Sequence, residues 1–210
     1  RFIEVPIPTS VWGPSRLKKV WGTSDNDLYI VGDGGAITHF DGTSWTKLES
    51  GTTADIHDLH GYEGVTAKCF AVASSPTETK ILSISGTQVT LADGWPLTQR
   101  LRGIWVSEHA VYVSGPGVWR KGGNEWVELS GLPATFYTRV AGNSDIDLLT
   151  VSWNGMLAHY NGKSWHVFSE IPSDIHFEAT DVLRDVAVAA GFRGGLVTDK
   201  AAVVVGRRTR

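Results

Sequence analysis

A few residues carry side chains whose type and spacing could do chemistry. His57, Asp58 and His60, in the stretch IHDLHG, bring two imidazoles and a carboxylate close together along the chain. That is the start of a metal site, but zinc needs further His, Cys or acidic ligands and none stands at a matching spacing, so no metal is expected. Asp25, Asn26 and Asp27 invite a calcium reading. A calcium loop of the helix–loop–helix type would add a Gly and a closing Glu at set positions, and the stretch lacks them. These Asp residues are expected to fix a turn by bonding their own backbone. Asp33 and Glu78 are the loop carboxyls that could be tried as a glycosidase pair, which needs a separation of about 5–5.5 Å for retention or about 6.5–9.5 Å for inversion. Their spacing in the sequence does not single them out. No nucleophile elbow, phosphate loop or dinucleotide fingerprint is present, and the glycines serve turns.

The elements that must position these residues are copies of one unit. Its best example is VWGTSDNDLYIVGDGGAITHFDGTSW, residues 20–45. The innermost strand recurs as LKKVWG (17–22), IHDLHG (56–61), LRGIWV (101–106), YTRVAG (137–142) and ATDVLR (179–184). Taking the fifth residue of each, Trp21, His60, Trp105, Ala141 and Leu183, gives spacings of 39, 45, 36 and 42 residues. That period suits four-stranded propeller blades of about 40–50 residues. Second strands follow at near-constant offset: DLYIVGD, AKCFAVAS, HAVYVSG, DIDLLTVS and DVAVAAG. The third and fourth strands read as hairpins turning at Asp41-Gly42, Ser85-Gly86, Gly122-Gly123, Asn161-Gly162 and a degenerate Asp199-Lys200, because such pairs reach the positive φ that tight turns need. Three residues past the Gly stands Trp45, Val89, Trp126 or Trp165, an apolar group expected to pack blade on blade. His39 and His159 share one repeat position, with Arg120 at the equivalent place, so both are read as part of the repeat.

No helical period of useful length competes. The pattern predicts an all-β chain, a five-bladed β-propeller of four-stranded antiparallel blades forming one domain over 1–210. Blade one spans about 17–50, two 56–93, three 101–130, four 137–169, and five 179–206 together with 1–7. On this reading the N-terminal RFIEVPI closes the last blade; the alternative is that AAVVVG (201–206) supplies its fourth strand. The stretch 20–45 resembles the bacterial propeller repeat WGxSxNDxxxVGxxGxIxHxDGxxW, loosely akin to kelch and BNR repeats. The resemblance is strongest at 20–61 and 137–168 and weakest at 177–210, and it implies a fold and a habit of binding in secreted or cell-surface proteins. THFDGTSW (38–45) also resembles the Asp-box hairpin of sialidase-like propellers in its Gly and Trp, with the Asp displaced, so the likeness is to the hairpin.

Composition sets outer limits. The 210 residues hold 20% charged and 41% hydrophobic side chains, nine Trp, 24 Gly and one Met, with a net charge of −3. A single domain of this size buries roughly 70% of its unfolded surface and needs no staple. Lys and Arg are scattered rather than striped, so no nucleic-acid partner is expected. Arg207, Arg208 and Arg210 form the one basic cluster and read as a solvated tail. Cys69, the single cysteine, sits in an apolar strand pattern and is expected to be a buried structural thiol. No apolar run is long enough to span a bilayer as a helix. A chain opening at Arg1 is read as a processed protein or excised domain, monomeric or part of a longer chain, and extracytoplasmic.

Meander topology sorts the loops into two faces. One face carries the one-to-two and three-to-four turns, which are tight and polar. The other carries the two-to-three loops and the connections between blades, where Trp12, Trp95 and Trp153 fall outside the repeat pattern. Phe136, His176 and Phe192 join them, with Asp33, Glu78, Arg100 and Arg193 supplying charge. The expected ligand-binding face is therefore Trp12, Asp33, Trp95, Arg100, Trp153, His176, Phe192 and Arg193, because loop aromatics stack on sugars, peptides or partner proteins. The expected function is a non-enzymatic binding scaffold for a protein or glycan, without cofactor or catalytic residues. A five-bladed lectin is one rival, although these Trp positions are not equivalent from blade to blade. A propeller glycosidase is the other.

Overall fold

The computed structural model describes residues 4–62, 68–92, 99–194 and 200–207. The chain divides into two compact units, Arg1–Thr98 and Gln99–Arg210. In the first, a one-turn helix α1 (Thr9–Trp12) precedes blade one, β1 (Leu17–Ser24), β2 (Asp27–Gly32), β3 (Ile37–Phe40) and β4 (Trp45–Leu48), and blade two, β5 (Ile56–Tyr62), β6 (Lys68–Ser74), β7 (Thr79–Ser85) and β8 (Gln88–Leu91). The second holds blade three, β9 (Gly103–Val106), β10 (Val111–Ser114), β11 (Val118–Gly122) and β12 (Glu125–Glu128), then blade four, β13 (Tyr137–Ser144), β14 (Asp147–Ser152), β15 (Leu157–Tyr160) and β16 (Trp165–Val167). Blade five follows as β17 (Ile175–Leu183), β18 (Val186–Arg193) and β19 (Lys200–Arg207). Each sheet is an antiparallel meander in chain order. Among the described residues no helix is long and apolar enough to cross a membrane.

The second strands read as continuous apolar runs because both of their faces are covered. In β2, Tyr29, Ile30 and Val31 are all buried, and β14 is buried along its whole length. Within the first unit, Tyr29, Val31, Ile37 and Leu48 of blade one share a core with Leu59, Ala71, Leu82 and Ile84 of blade two. In the second unit Trp105, Tyr112 and Val118 pack on Tyr137, Val140 and Leu148, while Leu149, Val151 and Leu157 pack on Ile175, Phe177 and Ala189. Burying each such large side chain contributes about 1.5–3 kcal/mol. A Cβ on Gly61 would run into the Trp21 ring of blade one, so Trp21 needs the missing side chain there, while Trp105 lies at ordinary contact distance from the equivalent Gly142. Cys69 is buried and free, and desolvation pushes its thiol pKa up, as suits an inert core group.

The structure departs from the sequence reading in three places. Blade five is shifted: Phe177 pairs with Gly191 and Ala179 with Ala190, the same register as Tyr137 with Ser152 and Arg139 with Val151 in blade four. Its inner strand in register is thus FEATDV (177–182), and Asp181 rather than Leu183 stands with Trp21 and Ala141. Second, AAVVVG lies in β19, the third strand of that blade and not a fourth. Of the supposed N-terminal clasp, residues 4–7 are not in a strand, while residues 1–3 lie outside the described residues, as does Asp199 of the supposed last turn. Third, the tight turns differ in kind. In blades one and four the loop has four residues, held by Asp41 Oδ1 accepting from the Thr43 and Ser44 amides at 2.9 and 2.7 Å, and by Asn161 Oδ1 accepting from Lys163 and Ser164 at 3.0 and 2.9 Å. In blades two and three it has two residues, Gly86-Thr87 and Gly123-Asn124, one position beyond the pairs read from sequence.

Candidate functional site

The inner strands share a device that alternation could not reveal. The pairing of first and second strands skips one residue between Leu17 and Lys19, Ile56 and Asp58, Tyr137 and Arg139, and Phe177 and Ala179. A bulge of this kind re-aims a side chain, and bulges recur beside functional sites. The bulged residues are Lys18, His57, Thr138 and Glu178. Arg102 holds the same repeat place in blade three, its amide donating to the Ser114 carbonyl at 2.8 Å just ahead of β9. All five lie at the strand end next to the two-to-three loops. Thr138 turns inward, its hydroxyl donating to the Phe177 carbonyl at 2.8 Å. The other four enter charged clusters.

In the first unit, Lys18 Nζ sits 2.5 Å from Asp33 Oδ1 and 2.9 Å from Asp55 Oδ2. Asp55 Oδ1 accepts from the Gly34 amide at 2.9 Å, and that bond, with Lys18 behind it, holds the Asp55 carboxyl below its ordinary pKa. His57 closes the cluster, with Nδ1 3.5 Å from Lys18 Nζ and Nε2 3.1 Å from the Ser74 carbonyl. Beside it Glu78 pairs with Lys80 at 2.7 Å and accepts from the Thr52 hydroxyl. Those partners, Lys80 first, lower the Glu78 pKa, whereas a general acid in glycoside hydrolysis requires a raised one. Asp58 is buried, capping the Leu59 amide, and His60 lies against Trp21, so the HDLH stretch does not converge on one point. Among the described residues no group of three or more His, Cys, Asp or Glu could hold a metal ion. Trp12 folds back over Gly32, its Nε1–H donating to the Ser15 carbonyl at 2.5 Å, and lines a polar cavity of about 370 Å³ with Gly34, Ser50 and Thr52.

The second unit carries the aromatic cluster. Trp153, in the loop after β14, stacks on Phe136 with ring centroids 5.4 Å apart and planes 21° from parallel. The Arg102 guanidinium lies over the same indole, 4.8 Å from the centroid, and pairs with Glu178 at 3.3 Å. Glu178 also accepts from Trp153 Nε1–H at 2.8 Å. Arg139 donates to the Arg102 carbonyl at 3.1 Å and fixes the backbone beneath. Trp153 is nonetheless 37% exposed. On blade five, His176 and Phe192 face each other across β17 and β18 as parallel rings 5.1 Å apart, and Arg193 pairs with Asp174 at 3.1 Å. Arg100 is exposed. Trp95 lies outside the described residues.

The structure therefore brings Trp153 together with Phe136, and His176 with Phe192, in one unit, and sets Asp33 in a separate charged cluster in the other. Sequence reasoning missed Arg102, Glu178 and Lys18. Only Lys18 and Arg102 stand at a common repeat place in the sequence register; Glu178 joins them only once blade five is placed in its observed register.

No protein-family model matches the sequence, and no curated protein matches it. Solved structures do match in shape. YCF48 bound to a D1 peptide aligns with a TM-score of 0.69 at 15% identity, covering 97% of this chain and 67% of that one. A chain of the nidogen/laminin complex aligns at 0.67 and 12% identity, covering 83% and 72%. The WD40 β-propeller domain of Doa1 aligns at 0.67 and 12% identity, covering 85% of this chain and 62%, under two thirds, of that one. Likeness at such identities defines the fold. The protein is a five-bladed β-propeller of four-stranded antiparallel blades, with three strands described in the fifth.

Proposed function

We propose that the chain is a binding scaffold that recognises a protein or peptide through the loop face of its second unit, with Trp153 as the anchor. The observation that carries this is the half-exposed indole of Trp153, held between Phe136, Arg102 and Glu178 so that little side-chain freedom is left to lose on binding. Trp and Arg dominate the energetics of protein interfaces. Two of the similar structures are themselves complexes with a peptide or a protein, which favours the same habit here. No other two-to-three loop among the described residues carries a Trp, so the reading is of one site rather than one glycan site per blade. His176, Phe192 and Arg193 extend the surface. Arg100, exposed in the same unit, remains a proposed contributor from the sequence reading; Trp12, Asp33 and Trp95, in the first unit, remain proposed binding residues in their own right, and a repeat type akin to kelch and BNR propellers belongs to the same proposal.

The test is a pull-down from the native source with the wild-type chain and with Trp153→Ala and Trp95→Ala variants, run beside a glycan array. A captured protein lost in Trp153→Ala, with the fold intact by circular dichroism, supports the reading. Unchanged capture overturns the site, and a saturable glycan signal that survives Trp153→Ala overturns the partner class. The reading also takes the chain as extracytoplasmic, and as a monomer or part of a longer chain. A parent open reading frame without an export signal overturns the first, and a defined oligomer by light scattering overturns the second.

A further inference from the structure

The hydrogen-bonding groups around Trp153 are unevenly used. Both oxygens of Glu178 are engaged, Oε1 by the Trp153 Nε1–H at 2.8 Å and Oε2 by Arg102 Nη2 at 3.3 Å. The Asn154 side-chain oxygen accepts from two hydroxyls, that of Thr135 at 3.0 Å and that of Ser152. The side-chain acceptors nearest the indole are therefore occupied from within the fold.

The donors are not. Glu178 is the one acceptor that the Arg102 guanidinium meets among the described residues, and Arg102 Nε is buried without a partner. A guanidinium carries N–H groups on all three nitrogens and accepts nothing, so Nη1 is left for a ligand. At 3.3 Å the bond to Glu178 is longer than the ~2.7–2.9 Å of a charge-assisted pair, and the same carboxylate also serves Trp153, so it offsets the Arg102 charge only in part. Asn154 is exposed, and its Nδ2 donates to nothing among the described residues. Arg139 adds a second cation beneath, with Nη1 donating to the Arg102 and Thr138 carbonyls at 3.1 and 2.8 Å. The cluster thus sets two guanidinium groups against one carboxylate. Arg100, two positions before Arg102, is exposed and enters no ion pair among the described residues.

We infer that the segment recognised at Trp153 is an acidic one. It brings side-chain carboxylates to Arg102 Nη1 and Asn154 Nδ2 while an aromatic neighbour rests on the exposed part of the indole. The inference rests on the reading of Trp153 as an anchor and adds the chemistry of the partner. A carboxylate supplies only acceptors, which match the donors left over here, and it completes the neutralisation of Arg102 that Glu178 begins. A basic segment would meet the same guanidinium groups and find both Glu178 oxygens taken, so the site also selects by repulsion.

Fluorescence anisotropy of labelled peptides titrated with the full chain tests it. Three peptides share one frame: GDEFDEG is acidic, GNQFNQG replaces each carboxylate by its amide, and GKRFKRG is basic. Saturable binding is expected for GDEFDEG, about ten-fold weaker for GNQFNQG and absent for GKRFKRG. Added salt should weaken the acidic peptide. Arg102→Gln is expected to weaken it about ten-fold, with the fold checked by circular dichroism. Arg100→Gln, at an exposed position where the fold is not at risk, should weaken it about three-fold while the melting temperature holds. No saturable binding, equal affinity for the acidic and amide peptides, or indifference to both arginine substitutions overturns the proposal. Equal competition by an oligothymidylate overturns it too, because the site would then take any polyanion. The two readings fail separately. Acid-selective binding untouched by Trp153→Ala removes the anchor and this proposal with it. Capture from the native source that is lost in Trp153→Ala, beside peptides that bind without charge preference, removes the acidic partner alone.

Discussion

The guanidinium of Arg102 lies 4.8 Å from the centroid of the Trp153 ring, although the two residues are 51 positions apart and belong to different blades. A cation over an indole at a partly exposed site contributes about 0.5–1 kcal/mol. A double-mutant cycle on Arg102→Ala and Trp153→Ala, read by urea unfolding, is expected to return a coupling of about that size. Arg102→Lys should keep only part of it, because an ammonium cannot lie flat on the ring while pairing with Glu178. A coupling near zero would mean that the stack does not hold Trp153 in place.

The scaffold was largely legible before any coordinate was known. Turn glycines, alternating strands and the spacing of Trp21 and Trp105 report local rules, and local rules survive in one sequence. Trp153 was legible too, because a large aromatic in a loop breaks the repeat. Arg102 and Glu178 were not, since a bulge leaves no mark on polar alternation and their meeting depends on how blades three to five pack. Blade five was misregistered for a related reason. It has Val182 where blades one, two and four have the small Gly22, Gly61 and Gly142, so the strongest marker of the inner strand was gone.

Neighbouring glycines in the loop after β2 should respond differently to the same change. Both have positive φ, 65° at Gly34 and 75° at Gly35. A Cβ on Gly34 meets nothing within 4 Å, whereas one on Gly35 would run into the Thr52 carbonyl oxygen. Gly34→Ala is expected to cost about 1 kcal/mol from backbone strain alone. Gly35→Ala should cost clearly more, because the Thr52 backbone must move as well. Equal melting temperatures for the two variants would contradict the close approach.

Acid should weaken the first unit through Asp55. Its carboxyl is held below the ordinary value of 3.8 by the Gly34 amide first and Lys18 next, so the folded state binds its proton more weakly than the unfolded state does. The stability it contributes is present above that value and is lost as pH falls from about 4 through the lower folded pKa. Asp55→Asn is expected to lower the urea midpoint at pH 7 and to flatten its decline between pH 5 and 2. A variant as acid-sensitive as the wild type would assign that decline to other carboxylates, with Glu78 next in line.

Alkali should reach the second unit through the join between blades three and four. Asp145, in the turn before β14, accepts from the Ser107 hydroxyl at 2.5 Å and the Tyr112 hydroxyl at 3.0 Å, both on blade three. Arg120, at the repeat place of His39 and His159, donates to the same Tyr112 oxygen at 3.2 Å. Burial, reinforced by the Asp145 carboxylate, pushes the Tyr112 pKa up to about 12, from 10. A raised phenol pKa contributes stability that is complete below pH 10 and disappears as pH climbs through 12, because the unfolded chain ionises first. Difference absorbance of tyrosinate should therefore show Tyr112 titrating near 12, together with Tyr29 and Tyr137, which burial also raises to about 12. Asp145→Ala removes the charged acceptor and is expected to cost about 1.5–3 kcal/mol at pH 7. It should also bring one tyrosine of the three down toward 10, a shift that loss of packing elsewhere would not confine to a single residue.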